Sequence, residues 1–244
     1  QDGVGYEPTI EPFLLEGENN PCIITCPGGG YCDLAEHERF VELFNGMGLS
    51  VFVLNYRIAP YQYPCQTVDL KRAIKYVRKN AKEFRIDPEK ILIAGSSAGG
   101  HLCAMTAATA NESMALAGDD IDKESCAVAG VILCYPMIVV PDSTTLWVAK
   151  NLVGDNEELY EKVSAEKLVT KDMPPVFVWH TITDSVVDVN DSLALCSACK
   201  AAGVPCEMHI FPEGNHGAGI ADYVPQANKW PSLCKDWLKY NKFI

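Results

Sequence analysis

The sequence predicts an α/β protein with a doubly wound, mostly parallel sheet and a small helical insertion. Short apolar runs of strand type alternate with amphipathic helical patterns along most of the chain. Most of these runs are continuous rather than alternating, which is typical of parallel strands buried on both faces. Since 244 residues suffice for one core of this kind, we expect a single domain over residues 1–244.

Six segments have the composition of strands, and helical patterns lie between them. The predicted strands cover residues 21–26, 50–55, 90–95, 129–134, 175–180 and 206–211. The predicted helices cover residues 36–47, 67–83, 191–202 and 227–240, and an alanine-rich helix is predicted to follow the strand at residues 90–95 and the turn after it. Gly48 and Gly203 stand directly after two of these helices, where a left-handed residue commonly ends a helix.

One long segment, residues 136–174, departs from this alternation. Connections of such length without a strand are uncommon in compact domains. The segment contains five large apolar residues: Trp147, Leu152, Leu159, Tyr160 and Leu168. We therefore predict short helices inserted over the sheet as a modest lid, with a plain crossover helix as the alternative.

Charge and hydropathy exclude two classes of partner. The net charge is −12 and there is no cluster of Lys and Arg, so nucleic acid is not an expected partner. The apolar runs are far shorter than a bilayer requires, so no membrane association is expected. The chain begins at Gln1, which leaves a removed leader open. A homo-oligomer is also left open.

Eleven cysteines raise the question of disulfides or metal. Cys196 and Cys199 have CxxC spacing in mid-helix, but no second pair or histidine follows at zinc spacing. Neither metal nor redox function is expected there, and no metal or organic cofactor is predicted for the chain. The pattern favours reduced thiols and hence the cytoplasm.

The segment Gly95-Ser96-Ser97-Ala98-Gly99 predicts a nucleophilic serine. It follows an apolar strand and precedes an alanine-rich helix, at the carboxyl end of the strand where sites form in such sheets. In a G-x-S-x-G turn the central residue is strained, and its neighbours must be small because a Cβ would collide with backbone. Ser97 is the central residue and is the predicted nucleophile.

A serine hydroxyl needs a base, and His216 is the predicted one. It stands in a loop beyond the last strand, beside glycines that let it reach across the sheet edge. We predict other roles for the other four histidines. These are packing or capping for His101, a structural or loop-bracing role for His180, a strand position for His209, and substrate contact as an alternative for His37.

The orienting acid is expected after the preceding strand, which points to the segment 181–188. Asp184 is the predicted acid, Asp188 is its rival, and Asp191 is predicted to cap a helix. The chain order Ser, Asp, His is the one expected of this arrangement.

Three consecutive glycines, residues 28–30, follow the first of the predicted strands. Such a run is costly in conformational entropy unless the backbone must approach something closely. We predict that the amides of Gly29 and Gly30, with that of Ala98, form an oxyanion hole. Pro27 stands where the related HGGG motif has histidine, and a flexible turn is the alternative.

These segments together resemble the small esterases of the α/β-hydrolase fold that are related to carbohydrate acetyl esterases, an acetylxylan-esterase-like and xylanase-like group. The resemblance is carried by residues 26–31, 53–60, 95–102, 177–181 with Asp184 and Val187, and 211–217. It implies a triad of Ser97, Asp184 and His216, and hydrolysis of acetyl or other short acyl esters on xylan-type sugars. Asp188 follows Val187 where relatives often have proline.

Three functions follow as hypotheses. A serine carboxylesterase acting on a small-molecule or oligosaccharide ester is the first. An amidase of the N-formylkynurenine formamidase type would use the same residues. A hydrolase-like binding protein without catalysis would lack a triad member, yet all three candidates are present.

Overall fold

A computed structural model of the protein describes residues 7–35, 37–112, 118–142 and 144–244. Seven strands form one sheet: β1 (Thr9–Phe13), β2 (Asn20–Cys26), β3 (Ser50–Asn55), β4 (Ile86–Ser96), β5 (Gly130–Cys134), β6 (Val176–Thr181) and β7 (Cys206–Phe211). Their order across the sheet is β1-β3-β2-β4-β5-β6-β7, and every neighbouring pair is parallel except β1 and β3. The predicted fold class is confirmed.

The helices are α1 (Glu38–Met47), α2 (Cys65–Lys79), α3 (Ala98–Ala108), α4 (Leu146–Val153), α5 (Ala165–Leu168), α6 (Asn190–Ala202) and α7 (Trp230–Tyr240). Helix α3 is the one predicted after the serine turn, and α1, α2, α6 and α7 correspond to predicted helices with shifted ends. Glu36, the predicted start of the first, lies outside the described residues. Gly48 and Gly203 have φ of 98° and 76° and end α1 and α6 in the left-handed conformation, as predicted.

Strand β1 was absent from the prediction. Its residues pair antiparallel with β3 at the edge of the sheet and are mostly exposed or half-buried. An edge strand with one neighbour needs no continuous apolar run, and Pro12 weakens the strand pattern further. Sequence alone therefore offers little signal for it.

Alternate residues of the strands pack against helices on opposite faces of the sheet. On one face, α1 and α7 cover Ile23, Val51, Leu92, Ile132 and Trp179, with Phe44 and Trp230 fully buried. On the other, α2, α3 and α6 cover Ile24, Phe52, Ile93, Leu133 and Val178. Burial on both faces explains why the strand sequences are continuous apolar runs.

The strand order creates a crevice between β2 and β4. From β2 the chain crosses to β3 on one side, and from β3 it returns to β4 on the other. Such a switch point opens a gap at the carboxyl ends of the two strands, where ligands bind in open α/β sheets. Cys26 and Gly95 pair there. The glycine loop (residues 27–31) follows Cys26 directly, and the serine turn (residues 95–99) begins at Gly95.

The segment 136–174 contains short helices, as predicted. They are α4, a 3-10 helix at Glu157–Val163, and α5. Leu152 and Tyr160 are buried against the α2 and α3 side of the core, whereas Trp147 remains 49% exposed. Ser143 lies outside the described residues, and a lid function for the segment stays a prediction.

None of the helices in the described part of the chain has the length and apolar character that crossing a bilayer requires. All eleven cysteines are free thiols. Cys196 and Cys199 both lie on α6, as predicted.

Candidate active site

The serine turn joins β4 to α3 through a strained residue. Ser97 has φ of 53° and ψ of −121°, a combination that a residue with a Cβ rarely adopts. Its amide donates to the carbonyl of Cys134 over 3.0 Å, and its carbonyl accepts from the amide of His101 over 3.1 Å. These bonds hold the backbone so that the Ser97 side chain lines the crevice.

The glycines on either side of the serine turn are required for space. A Cβ at Gly95 would lie 2.2 Å from the carbonyl oxygen of Gly99, and one at Gly99 would lie 2.1 Å from that of Cys26. Both are backbone atoms that cannot yield. The turn therefore permits only glycine at these two positions, as the motif predicts.

His216, from the loop after β7, connects the serine to an acid. Its Nε2 lies 2.8 Å from Ser97 Oγ, and its Nδ1 lies 2.7 Å from Oδ2 of Asp184. Because the ionised carboxylate can only accept, Nδ1 carries the proton and Nε2 accepts from the serine hydroxyl. The structure thus brings the three predicted side chains into one hydrogen-bonded chain.

The carboxylate of Asp184 is almost fully enclosed, with 1% of the side chain exposed. Its Oδ1 accepts from the amides of Val186 and Val187, each over 3.0 Å. Burial acts to raise the pKa of Asp184, but hydrogen bonds from His180 and His216 outweigh it and hold that pKa well below its usual value. Asp184 is therefore charged wherever His216 could act as a base.

The two other aspartates of this region have different partners. Asp188 is exposed, and its Oδ1 accepts from the amide of Asn190 over 2.8 Å at the start of α6. The expectation that Asp191 caps a helix is wrong. Its Oδ2 accepts instead from the amides of Ile138, over 2.6 Å, and Val139, over 3.2 Å. Neither aspartate is bonded to His216 in the structure.

His101 links three parts of the site, in keeping with its predicted packing and capping role. The hydroxyl of Tyr31 donates to its Nδ1 over 2.7 Å, and its Nε2 donates to the carbonyl of Val163 over 2.6 Å. Burial lowers the pKa of His101 to about 4. The neutral ring therefore joins α3 to the glycine loop and to the segment 136–174.

His37 and His209 lie away from the serine chain. His37 is buried at the start of α1 and stacks on Phe40 with centroids 4.7 Å apart; burial lowers its pKa to about 4. It lines a separate groove rather than the crevice. His209 on β7 bonds to Glu207 over 2.9 Å. Substrate contact by His37 stays a prediction.

The glycine loop is held by its carbonyls. All five carbonyl oxygens of residues 27–31 accept hydrogen bonds from other parts of the protein. In chain order, the donors are the Tyr56 hydroxyl, the Ala35 amide, the amides of Cys32 and Asp33, the Asn151 side chain, and the Ala59 amide. Each peptide plane in the loop is thereby fixed in orientation.

This anchoring directs the loop amides. In a trans peptide the C=O and N–H bonds point in opposite directions, so the amides of Gly29 and Gly30 point away from the groups that hold the preceding carbonyls. Both glycines line the crevice with Ser97. Ala98 is the first residue of α3, where an amide has no partner within the helix.

The crevice has a volume of about 240 Å³. Beyond the glycine loop, Ser97 and His216, its walls are largely apolar, and they include Tyr135, Met137, Trp147, Val148, Val186 and Val187. No group of three or more His, Cys, Asp or Glu side chains among the described residues could hold a metal ion. The arrangement can activate a hydroxyl, orient its base and bind an oxyanion.

Sequence reasoning missed two groups of contacts in the crevice. Tyr135, directly after β5, has φ of 38°, and its hydroxyl accepts from the amide of Gly219 over 3.0 Å while its ring lies 5.2 Å from that of His216. Tyr135 directly follows a predicted strand, so its position at the same sheet edge as Ser97 could have been predicted from the sequence. Trp147 and Asn151 on α4 both contact Gly30, and no local sequence pattern indicates that contact.

Known proteins are similar to this chain over most of its length. A solved acetyl ester-xyloside bifunctional hydrolase from Caldicellulosiruptor lactoaceticus is 38% identical, with a TM-score of 0.92, over 98% of this chain and 90% of that one. Endo-1,4-beta-xylanase B of Butyrivibrio fibrisolvens is 32% identical over 89% of this chain and 36% of its own length. The acetylxylan esterase of Xylanibacter ruminicola is 27% identical over 93% of this chain and 47% of its own.

The chain thus spans half or less of the length of these two curated relatives. The family model BD-FAE matches residues 14–199, which include the glycine loop, the serine turn and Asp184. Together with the solved structure, this match covers well over half of the chain. The chain belongs to the BD-FAE family and has the α/β-hydrolase fold of its esterase relatives.

Proposed function

We propose that the chain is a serine carboxylesterase that hydrolyses short acyl esters, acetyl esters above all, on xylan-type carbohydrates. The observation that carries this proposal is the chain of hydrogen bonds from Ser97 through His216 to Asp184. It lies beside a glycine loop with five anchored carbonyls, and those of Gly28 and Gly29 direct the amides of Gly29 and Gly30. Each group that acyl transfer requires is then supplied by this chain alone.

In the proposed reaction Ser97 Oγ attacks the ester carbonyl carbon while His216 Nε2 takes the hydroxyl proton. Asp184 holds the imidazole in the required tautomer and stabilises the imidazolium. The tetrahedral oxyanion is bound by the amides of Gly29, Gly30 and Ala98, and losing one such donor costs about 3 kcal/mol. His216 then protonates the departing alcohol, and water cleaves the acyl-enzyme by the reverse proton path.

The size of the crevice favours a small acyl group. Pockets that enclose drug-sized ligands have volumes of about 300–1,000 Å³, whereas this one has about 240 Å³. Trp147 and Val148 close it on the side of α4. A short acyl chain fits within such walls, and a long one would need them to move.

The names of the relatives support a carbohydrate as the alcohol component of the ester. They are an acetylxylan esterase, a xylanase and an acetyl ester-xyloside hydrolase. Two of them are much longer than this chain, so their activities belong to the whole proteins. The substrate class of this chain is accordingly part of the proposal.

The test is a side-by-side assay of acetylated xylo-oligosaccharides, p-nitrophenyl esters from acetate to octanoate, and N-formylkynurenine. We expect release of acetate, a rate that falls with acyl length, and labelling of the wild type but not Ser97→Ala by a fluorophosphonate. Faster cleavage of N-formylkynurenine than of any ester would replace the proposal with the formamidase. Absence of labelling in the wild type would leave a binding protein.

A further inference from the structure

A second histidine lies behind the proposed catalytic acid. His180, in β6, is fully buried. Its Nε2 lies 3.0 Å from the carbonyl oxygen of Val187 and 3.3 Å from Oδ2 of Asp184. Its Nδ1 lies 2.8 Å from the hydroxyl oxygen of Ser192 on α6. Both ring nitrogens therefore have partners in a site that water does not reach.

The partners decide the tautomer of His180. A backbone carbonyl and an ionised carboxylate can only accept hydrogen bonds, so Nε2 must carry the proton. Nδ1 then accepts from the Ser192 hydroxyl, which can donate. The Nε2–H tautomer satisfies every polar contact in this arrangement, and the other tautomer would place a lone pair against a carboxylate.

The Nε2–H group of His180 donates to the Val187 carbonyl, and the Asp184 oxygen that receives Nδ1–H of His216 lies 3.3 Å from the same nitrogen as a second, more distant acceptor. Two backbone amides hold Oδ1, and because a carboxylate is planar they also restrict Oδ2. The terminal torsion of an aspartate is broad, so a second donor near Oδ2, besides the His216 ring that this oxygen has to orient, narrows the remaining range.

We propose that His180 is a positioning residue of the reaction, whose Nε2–H holds Oδ2 of Asp184 where that oxygen orients His216. The inference rests on the proposed function for its kinetic consequence, whereas the hydrogen-bonded arrangement can be measured by itself. The resulting order of side chains is Ser192, His180, Asp184, His216 and Ser97. A shift of about 1 Å in such a chain can reduce the rate about a hundredfold.

A matched pair of substitutions separates positioning from packing. In His180→Gln the amide nitrogen can reach the place of Nε2 and donate to Asp184. In His180→Asn the shorter amide reaches only the place of Nδ1, beside Ser192. Both variants put a neutral amide in the same buried space, and because Asn is one methylene smaller than Gln, their thermal stabilities are measured alongside their rates.

We expect His180→Asn to lower kcat for p-nitrophenyl acetate about 10- to 100-fold, the range found for residues that orient metal ligands through hydrogen bonds, with KM changed less than about twofold. His180→Gln is expected to regain most of that loss. Equal kcat values for the two variants at comparable thermal stability would overturn the proposal.

Nuclear magnetic resonance of the wild type gives a readout that needs no variant to fold. The ¹⁵N shifts of His180 are expected to show a protonated Nε2 and an unprotonated Nδ1, and the Nδ1–H signal of His216 is expected far downfield. A protonated Nδ1 at His180 would overturn the proposal. If the expected signals are found but no ester is cleaved, the proposed function fails while the arrangement of Asp184 stands.

Discussion

Trp147 packs directly onto Gly30. A Cβ placed at residue 30 would lie 2.3 Å from Cη2 and 2.4 Å from Cζ3 of the indole. Asn151, four residues further along α4, donates to the carbonyl of Gly30 over 2.9 Å. The segment 136–174 therefore contacts the loop that is proposed to bind the oxyanion, and the two cannot move independently at this point.

Gly30→Ala is expected to lower kcat strongly. Gly30 has φ of 60°, and the added methyl group would displace either Trp147 or the loop, which turns the amide away from the oxyanion. Loss of one donor corresponds to about 3 kcal/mol, or a factor of about 10² in kcat. Steady-state kinetics with p-nitrophenyl acetate measures it. Gly46→Ala on α1, where nothing lies within 4 Å of the new Cβ, is the control and should retain full activity.

Asn151→Ala tests whether α4 positions the loop. Removing its amide leaves the Gly30 carbonyl without the donor that fixes the peptide plane between Gly30 and Tyr31, next to the proposed oxyanion donors, at a cost of about 1 kcal/mol. We expect kcat to fall about fivefold with little change in KM. Lys150→Ala, at an exposed neighbouring position, should behave as the wild type. An unchanged kcat in Asn151→Ala would mean that the loop holds its shape without α4.

The site residues that could be predicted from the sequence all lie in segments that directly follow strands of the parallel sheet. In a parallel sheet the segments after each strand meet at one edge, so Ser97, Asp184 and His216 could be assigned from strand ends and glycine-rich turns. Their hydrogen-bonded contacts follow from that topology. Each lies in a short segment with a recognisable local pattern, and nothing about distant packing was needed.

The remaining features depend on contacts between distant parts of the chain. Asn151 and Gly30 are separated by 121 residues, and neither stands in a motif that indicates the other. Asp191 has the sequence position of a helix cap, but its carboxylate satisfies the amides of Ile138 and Val139 instead. Such pairings are chosen by the packed structure, where buried amides compete for the available acceptors.

Substitution of the two rival aspartates distinguishes them. Asp184→Asn keeps the shape of the side chain but presents an amide to His216, which favours the wrong tautomer; in a serine protease such a change lowered kcat about 10⁴-fold. We expect a loss of comparable size. Asp188→Asn retains an oxygen that can accept from the amide of Asn190 and should leave kcat within about twofold of the wild type. The opposite ranking would make Asp188 the acid.

Asp191 is expected to make stability fall as the pH rises from about 4 to about 7. Burial raises the pKa of Asp191 from its ordinary 3.8 to about 7, and this outweighs the lowering by the amides of Ile138 and Val139. Between these two values the folded protein holds a proton at residue 191 that the unfolded chain has lost. The contribution of Asp191 to the free energy of unfolding therefore decreases with rising pH in that window.

Asp191→Asn removes this dependence, because its side-chain oxygen can still accept from Ile138 and carries no charge at any pH. Its stability relative to the wild type should increase between pH 4 and pH 8, by at most on the order of 4 kcal/mol. Urea unfolding at several pH values measures the difference, with Asp188→Asn at an exposed position as the control. Parallel curves for Asp191→Asn and the wild type would show that Asp191 is ionised in the folded protein throughout, because only a proton retained on folding makes the two curves diverge.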